Sequence, residues 1–290
     1  MKNVYRLIIK LICKISPKLL SKIIYYRKFK KKLNLKEPKD FNEKLMWLKL
    51  NKYNSNKTVW ECSDKYYVRK FAKTRGINDE NLPNLLGTYN FAEEINFNEL
   101  PNKFVLKCTH GCGYNIICEN KMLLDKKECI KELNKWLNIK FGYESAETHY
   151  MHIKPRIICE EFIENNEGEF PIDYKVYCFN GKAKIILVCT NRKNGYKTVF
   201  YDLEWNRVYA RDNEVKVSEI EKPKSLEKMI EYSQILSRDF EFVRVDFYEF
   251  FGKPILGEMT FTPAACLGDY NEKWTKRLGE WIDIKELGVK

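Results

Sequence analysis

Near the C-terminus, apolar and polar residues alternate through Phe242-Val-Arg-Val-Asp-Phe-Tyr248 and again through Pro254-Ile-Leu-Gly-Glu-Met-Thr260, with Phe250-Phe-Gly-Lys253 between them. β-Branched and aromatic content on both sides of a glycine turn predicts a hairpin. Centring the turn on Gly252 sets Asp246 opposite Glu258 and Arg244 opposite Thr260. Parity then gives an apolar face of Val243, Val245, Phe247, Ile255, Gly257, Met259 and Phe261, and a polar face of Arg244, Asp246, Tyr248, Glu258 and Thr260. Two carboxylates facing each other repel unless a cation lies between them, and a hard divalent ion with oxygen ligands meets that need. Removing either acid is therefore expected to leave the metal-free protein as stable as before or more so.

A second hairpin is predicted from Asp173-Tyr-Lys-Val-Tyr-Cys-Phe179, the turn Asn180-Gly181 and Lys182-Ala-Lys-Ile-Ile-Leu-Val188. Asn-Gly favours the type I′ turn, which pairs Lys175 with Ile186 and Asp173 with Val188. Asp173, Lys175, Thr190 and Arg192 would then share one face, an acid suited to a ribose hydroxyl beside cations suited to phosphate.

Upstream, residues 40 to 76 read as helices ending at Arg75-Gly76. Phe104-Val-Leu-Lys-Cys108 reads as a strand, Thr109-His-Gly-Cys-Gly113 as a loop and Tyr114-Asn-Ile-Ile-Cys118 as a strand, followed by a periodic helix from Leu123 to Phe141. Gly111 and Gly113 allow backbone N–H groups to approach an anion, with Lys107 as a point charge for the same phosphate.

The chain of 290 residues carries a net charge of +12, but residues 1 to 32 hold eleven Lys or Arg and no acid, leaving 41 basic against 40 acidic residues elsewhere. A nearly neutral body argues against nucleic-acid binding. Within the basic segment, Val4, Leu7, Ile8, Leu11, Ile12 and Ile15 recur at helical spacing, interrupted by cations too often for a spanning helix. Ser16-Pro17 marks the start of a second helix. Amphipathic helices flanked by cations fit an anionic membrane surface, placing the protein in the cytoplasm at the inner face of the cell membrane. The ten cysteines form no disulfide framework, and the Cys108, His110, Cys112 and His149, His152 groups lack zinc-finger spacing.

The order of these parts resembles the ATP-grasp superfamily. The phrases FNEKL, DKYYVRKF, FVLKCTHGCG, DYKVYCFNGKAK, VRVDFY and GEMTFTPAA are similar to its TupA-like branch, associated with teichuronopeptide and other bacterial surface polysaccharides, over roughly residues 40 to 283. The resemblance implies an α+β fold of two subdomains clasping ATP. Its parts would be a basic helical segment at 1 to 34, an N-terminal region at 35 to 100, a lid with the phosphate loop at 101 to 156 and a C-terminal subdomain with the metal hairpin at 157 to 290.

By the same resemblance, Lys65 and Lys107 would hold ATP phosphates with Gly111 and Gly113, and Glu160-Glu161-Phe162-Ile163 would line the adenine, Glu160 near its exocyclic amine. Asp173 would take the ribose, Lys175, Arg192 and Arg244 would act on the transferred phosphoryl group, and Asp246 and Glu258 would bind Mg²⁺. Thr260 stands where most of the superfamily has Asn, which puts a short neutral hydroxyl at the third metal position. The implied activity is an ATP- and Mg²⁺-dependent ligation of a carboxylate to an amine through an acyl phosphate, on a small-molecule or lipid-linked glycan substrate. A glycosyltransferase or phosphotransferase of the same pathway is the alternative.

Overall fold

A computed structural model describes residues 2–163, 171–190, 195, 197–212 and 219–284. Arg192 lies outside the described residues, and with it that part of the expected site.

Two helices open the chain, α1 (Lys2–Ile15) and α2 (Pro17–Phe29). Ser16 caps α2 by accepting from the Leu19 amide, and Pro17 occupies the first turn, where no amide donor is needed. Three further helices follow, α3 (Phe41–Asn51), α4 (Lys57–Ser63) and α5 (Tyr67–Thr74). Asp40 caps α3 through the Glu43 amide, and Glu43 turns its own carboxylate back onto the Lys39 amide. Gly76, at φ +84°, follows α5.

The first sheet has the order β1 (Leu85–Tyr89), β4 (Ile157–Glu161), β2 (Phe104–Cys108), β3 (Asn115–Cys118), all antiparallel. It thus draws β1 and β4 from outside residues 101 to 156. Helix α6 is shorter than its periodicity suggests, running Lys126–Leu137 from an Asp125 cap. Leu133 and Cys129 of α6 pack with Phe104, Leu106, Ile157 and Cys159 in one cluster. The alternate positions Val105, Lys107, Ile158 and Glu160 therefore lie on the other face.

The second sheet has the order β10 (Lys253–Thr260), β9 (Phe242–Phe250), β5 (Asp173–Phe179), β6 (Lys182–Thr190), β7 (Lys197–Tyr201), β8 (Arg207–Val208). The two predicted hairpins are neighbours in it, β5 lying against β9. Helix α7 (Leu226–Ser237) packs on the face of Val176 and Cys178, where the Cys178 thiol points to the Ser233 carbonyl. On the opposite face, the end carrying Tyr177, Phe179 and Phe242 is sealed by Phe41 of α3, with ring centroids 5.1 to 6.4 Å apart. A buried side chain of that size contributes about 1.5–3 kcal/mol. The other end of this face carries Asp173, Lys175, Asp246 and Glu258. α8 (Glu272–Glu280) packs against α3.

Both predicted registers change by one residue at a bulge. In the β5–β6 hairpin, Asn180 and Gly181 take positive φ as expected, but β6 contains an extra residue at Lys184. Lys175 consequently pairs with Leu187 and Asp173 with Cys189, and Thr190 falls on the face opposite Asp173. In the C-terminal hairpin the turn is Phe251-Gly252, with Lys253 opposite Phe250. A bulge at Gly257 then shifts the register, so the expected pairs Asp246 with Glu258 and Arg244 with Thr260 do form. Before the bulge, the tighter turn sets Ile255 opposite Tyr248, on the polar face rather than the apolar one, and Leu256 opposite Phe247.

Candidate active site

Three strands place Lys175, Asp246 and Glu258 in one cross-strand row, with Tyr177, Arg244 and Thr260 in the row beside it. Cross-strand neighbours on one face lie close enough for their side chains to meet. Lys175 Nζ donates to Asp246 Oδ2 at 2.7 Å and lies 3.3 Å from Asp173 Oδ2. Arg244 forks onto Asp246, Nε to Oδ1 and Nη2 to Oδ2, each at 2.7 Å. Its Nη2 also lies 3.4 Å from Glu258 Oε1 and donates to Thr260 Oγ1 at 3.1 Å, and the Thr260 hydroxyl donates to Glu258 at 3.3 Å.

The expected repulsion between Asp246 and Glu258 is thus answered by protein cations. Asp246 has 3% of its side chain exposed, Lys175 11% and Arg244 13%, so this is a nearly dry network. Deleting the Asp246 charge would leave two enclosed cations short of a partner, the reverse of the stability gain expected from the sequence. Burial works against charge at Lys175, yet Asp246 outweighs it and holds the ammonium above the ordinary lysine range. Burial also works against Glu258 ionising, but Lys65, Lys175, Arg244 and Lys107 pull its carboxyl down to about 2.

From the opposite side come Lys65 and Lys107. Lys65, just before α5, is tied to the glycine loop: its amide donates to the Thr109 carbonyl at 3.3 Å and its Nζ to the Gly111 carbonyl at 2.6 Å. The same Nζ lies 3.7 Å from Glu258 Oε2, which joins the two sheets across the gap. Gly111 is enclosed, since a Cβ there would come within 2.7 Å of the Tyr114 ring and 2.9 Å of Phe141, while Gly113 needs its positive φ of 77°. Lys107 Nζ donates to Glu160 Oε2 at 2.6 Å. Burial disfavours its charge, yet Glu160 keeps Lys107 above the ordinary lysine range.

Glu160 is buried, and its second oxygen takes Arg69 Nη1 of α5 at 3.3 Å. Its carboxylate is therefore committed to two cations, rather than free for the edge of a base. Glu161 and Ile163, with Phe162 between them, border a small cavity with Val105, Ile117 and Tyr248. Tyr248 shows how the Gly257 bulge serves this wall: a Cβ at 257 would lie 3.2 Å from the Tyr248 ring, so the glycine lets that ring lie close over the strand. The cavity measures about 60 Å³, narrower than the several hundred a nucleotide-sized ligand occupies.

Sequence reasoning missed Arg69, Tyr248 and the segment after β10. There Ala264, Ala265 and Cys266 all adopt positive φ, between 50° and 62°. Non-glycine residues in this region carry a cost of order 1–3 kcal/mol each and concentrate at functional sites. The phrase TPAAC holds no glycine, so nothing in its composition signals this turn.

The model of a family described as TupA-like ATPgrasp matches residues 43–283. The chain belongs to the TupA-like ATP-grasp family. The α+β architecture, two antiparallel sheets facing across a charged gap, is its ATP-grasp fold. A search of curated proteins found no match. Among solved structures, a D-alanine–D-alanine ligase from Bacillus anthracis, crystallised with ATP, is similar at 18% identity over 70% of this chain and 55% of that one, with a TM-score of 0.41. An L-amino acid ligase from Bacillus licheniformis is similar at 14% identity over 70% and 43%, with a TM-score of 0.46. This TupA-like chain spans about 55% and 43% of those two proteins.

Proposed function

We propose that this TupA-like protein uses ATP and Mg²⁺ to activate a carboxylate as an acyl phosphate and joins it to an amine during synthesis of a bacterial surface polysaccharide. The observation that carries the reading is the cross-strand row Lys175–Asp246–Glu258, faced by Lys65 at 3.7 Å from Glu258. Phosphoryl transfer needs positioning and charge neutralisation more than covalent chemistry, and the site supplies both. Lys65 and Lys107 would grip nucleotide phosphates beside the glycine loop. Lys175 and Arg244 would neutralise the transferred group, with Arg192 as a further candidate outside the described residues. Asp173, buried beside Lys175, would face the ribose end, and the residues Glu161 to Ile163 would border the base.

The donor set suits Mg²⁺, since Glu258 and Asp246 offer hard oxygen ligands and Thr260 a hydroxyl. Glu258 is ionised and 34% exposed, hence open to a metal, while Asp246 must first release an oxygen from Arg244 or Lys175. When bound, the metal would neutralise phosphoryl oxygens. In the reaction, a substrate carboxylate oxygen bonds to the γ-phosphorus as the bond to ADP breaks. The amine nitrogen then attacks the acyl carbon, phosphate leaves, and the amine proton passes to solvent.

The N-terminal helices support placement at a membrane. Ile9 and Cys13 of α1 pack on Leu20 and Ala146, whereas Val4, Leu7, Ile8, Leu11 and Ile15 are 49–83% exposed, and Lys14, Lys18 and Lys22 of the two helices are exposed as well. No described helix is long and apolar enough to cross a bilayer, and an outward apolar face with cations fits an anionic surface and a lipid-linked glycan substrate.

Hydroxylamine tests the chemistry. With ATP, Mg²⁺ and the right carboxylate, drawn from pools of uronic and amino acids, it should give a hydroxamate with ADP and phosphate. A stable phosphorylated alcohol with ADP, or turnover of a nucleotide sugar without ATP, would replace the ligase by the transferase reading.

A further inference from the structure

Sharing residues 161–163 with the small cavity is a much larger cleft of about 980 Å³, whose other walls have no part in the proposed ligation. Its walls are one face of α5, residues 82–85, Arg156, residues 161–163 and the Phe250 and Ile255 side chains of the C-terminal hairpin. Tyr66, Arg69, Lys70 and Lys73 recur at helical spacing along that face. Its acids are mostly answered: Asp79 pairs with Lys73, and Glu80 with Lys253 at 2.6 Å. Of the cations that remain, Arg69 is tied to Glu160, and Glu161 is the one other acid of the lining beside Lys70 and Arg156. Lys70 has no acidic partner among the described residues.

Arg156 is set in place before any ligand arrives. Its guanidinium lies 4.9 Å from the Tyr66 ring centroid and 4.8 Å from that of Tyr67, and its buried Nε has no hydrogen-bond partner. A guanidinium fixed against two rings in a cleft wall keeps its planar fork pre-set for an oxyanion, although the enclosed Nε is itself out of a ligand's reach. Ile255 and Phe250 add apolar wall, and the volume suits a ligand of sugar-phosphate size or somewhat larger.

We propose that this cleft is a second ligand site for a small sugar-like molecule bearing a carboxylate or phosphate, coupled to the nucleotide site through Arg69, Glu160 and Lys107. The coupling follows from one shared carboxylate. Glu160 divides its two oxygens between Arg69, a cleft residue, and Lys107, a nucleotide-site residue. Buried with 6% of its side chain exposed, it needs at least one of them. An anion that draws Arg69 away leaves Glu160 to Lys107 and holds that lysine back from nucleotide phosphates. A nucleotide that draws Lys107 away leaves Glu160 to Arg69 and holds that arginine back from the cleft. The two ligands therefore weaken each other, by the same factor in each direction.

The test is calorimetric titration of the full chain with glucuronate, glucose 1-phosphate and neutral glucose, each with and without a non-hydrolysable ATP analogue. At least one anionic probe should bind while glucose does not, which also separates carboxylate from phosphate as the recognised group. Lys70→Glu and Arg156→Gln should each weaken that binding about fivefold or more and leave the analogue's affinity unchanged; saturating analogue should weaken it about fivefold or more, and Arg69→Gln should remove this mutual effect. Equal binding of glucose, or no binding of either anion at millimolar concentration, would overturn the site. Equal loss of analogue affinity in the Lys70 and Arg156 variants would make the cleft an extension of the nucleotide site, and full additivity of the two ligands would end the coupling. The coupling rests on nucleotide binding at Lys107. Should the parent chain fail to bind the analogue, that reading fails while probe binding still judges the cleft.

Discussion

Asp246 has a different part from the one its sequence position suggests. Enclosed between Lys175 and Arg244, it is the counter-ion for two cations before any metal arrives. Asp246→Asn should lower stability by about 3 kcal/mol, seen as a reduced urea midpoint at unchanged m-value, as well as abolish ATP turnover. Glu258→Gln should also abolish turnover with a smaller loss of stability, because its carboxylate is partly in water and holds its cations at 3.4 and 3.7 Å. A variant of Asp246 as stable as the parent would return the network to simple repulsion between acids. His149 gives the pH dependence at this scale. It is fully buried with both ring nitrogens unpartnered, and burial, then Lys49 and His152, push its pKa down to about 3. The unfolded chain binds its proton near pH 6.5 and the folded chain only near 3, so stability is complete above 6.5 and falls as pH drops between these values, by up to about 1.4 kcal/mol per pH unit. His149→Phe should flatten the upper part of that slope in urea melts from pH 4 to 7. Below about 4.5 the depressed carboxyl of Glu258 adds a second loss in the same direction.

At the scale of elements, the two bulges decide what the strands present. Without the extra residue at Lys184, Lys175 would face Ile186 and Thr190 would share the face of Asp173. Gly257 carries the second bulge and leaves room for the Tyr248 ring. Gly257→Val should crowd that ring and the Asp246 carbonyl, 3.2 and 3.3 Å from the added Cβ, at a cost of about 1–3 kcal/mol. Nucleotide affinity should fall with it, measured by titration of a fluorescent ATP analogue, while Gly252→Asn at the turn should leave affinity intact. Equal effects of the two changes would detach the bulge from the site. Phe41 joins α3 to three aromatic residues of the second sheet, and Phe41→Ala should cost about 3–5 kcal/mol in the same melts.

For the whole molecule, the apolar clusters of the two sheets are separate, and Lys65 reaches from the side of the glycine loop to Glu258 across the gap between them. The N-terminal helices are divided in function by exposure. Residues of α2 such as Leu20 and Tyr25 are buried in the body, so removing all of residues 1 to 32 would damage the fold. Replacing the exposed Leu7, Leu11 and Ile15 of α1 by Ser avoids that. The triple variant should melt as the parent does but no longer sediment with anionic vesicles, and parental binding should weaken with salt. Undiminished sedimentation of the variant would sink the membrane reading.

The sequence alone determined the local parts. Period-two alternation marked both hairpins and Asn-Gly the turn of one, Ser16-Pro17 marked the start of α2, and opposed acids near one turn marked the centre of the candidate site, because these signals act over a few residues. The pairing of Asp246 with Glu258 was legible, although from an assumed turn centre that the structure replaces by a tighter turn plus a bulge. Tertiary structure decided the rest. A bulge is a one-residue choice that an apolar strand does not announce, and the tighter turn before it decides the face that Ile255 takes. Whether Asp246 repels Glu258 or binds Lys175 depends on β5 lying beside β9, and the sharing of Glu160 depends on α5 reaching the first sheet. Charge balance in a dry gap is set by neighbours distant in sequence, and only the folded chain brings Lys65, Lys107, Lys175 and Arg244 to the same two carboxylates.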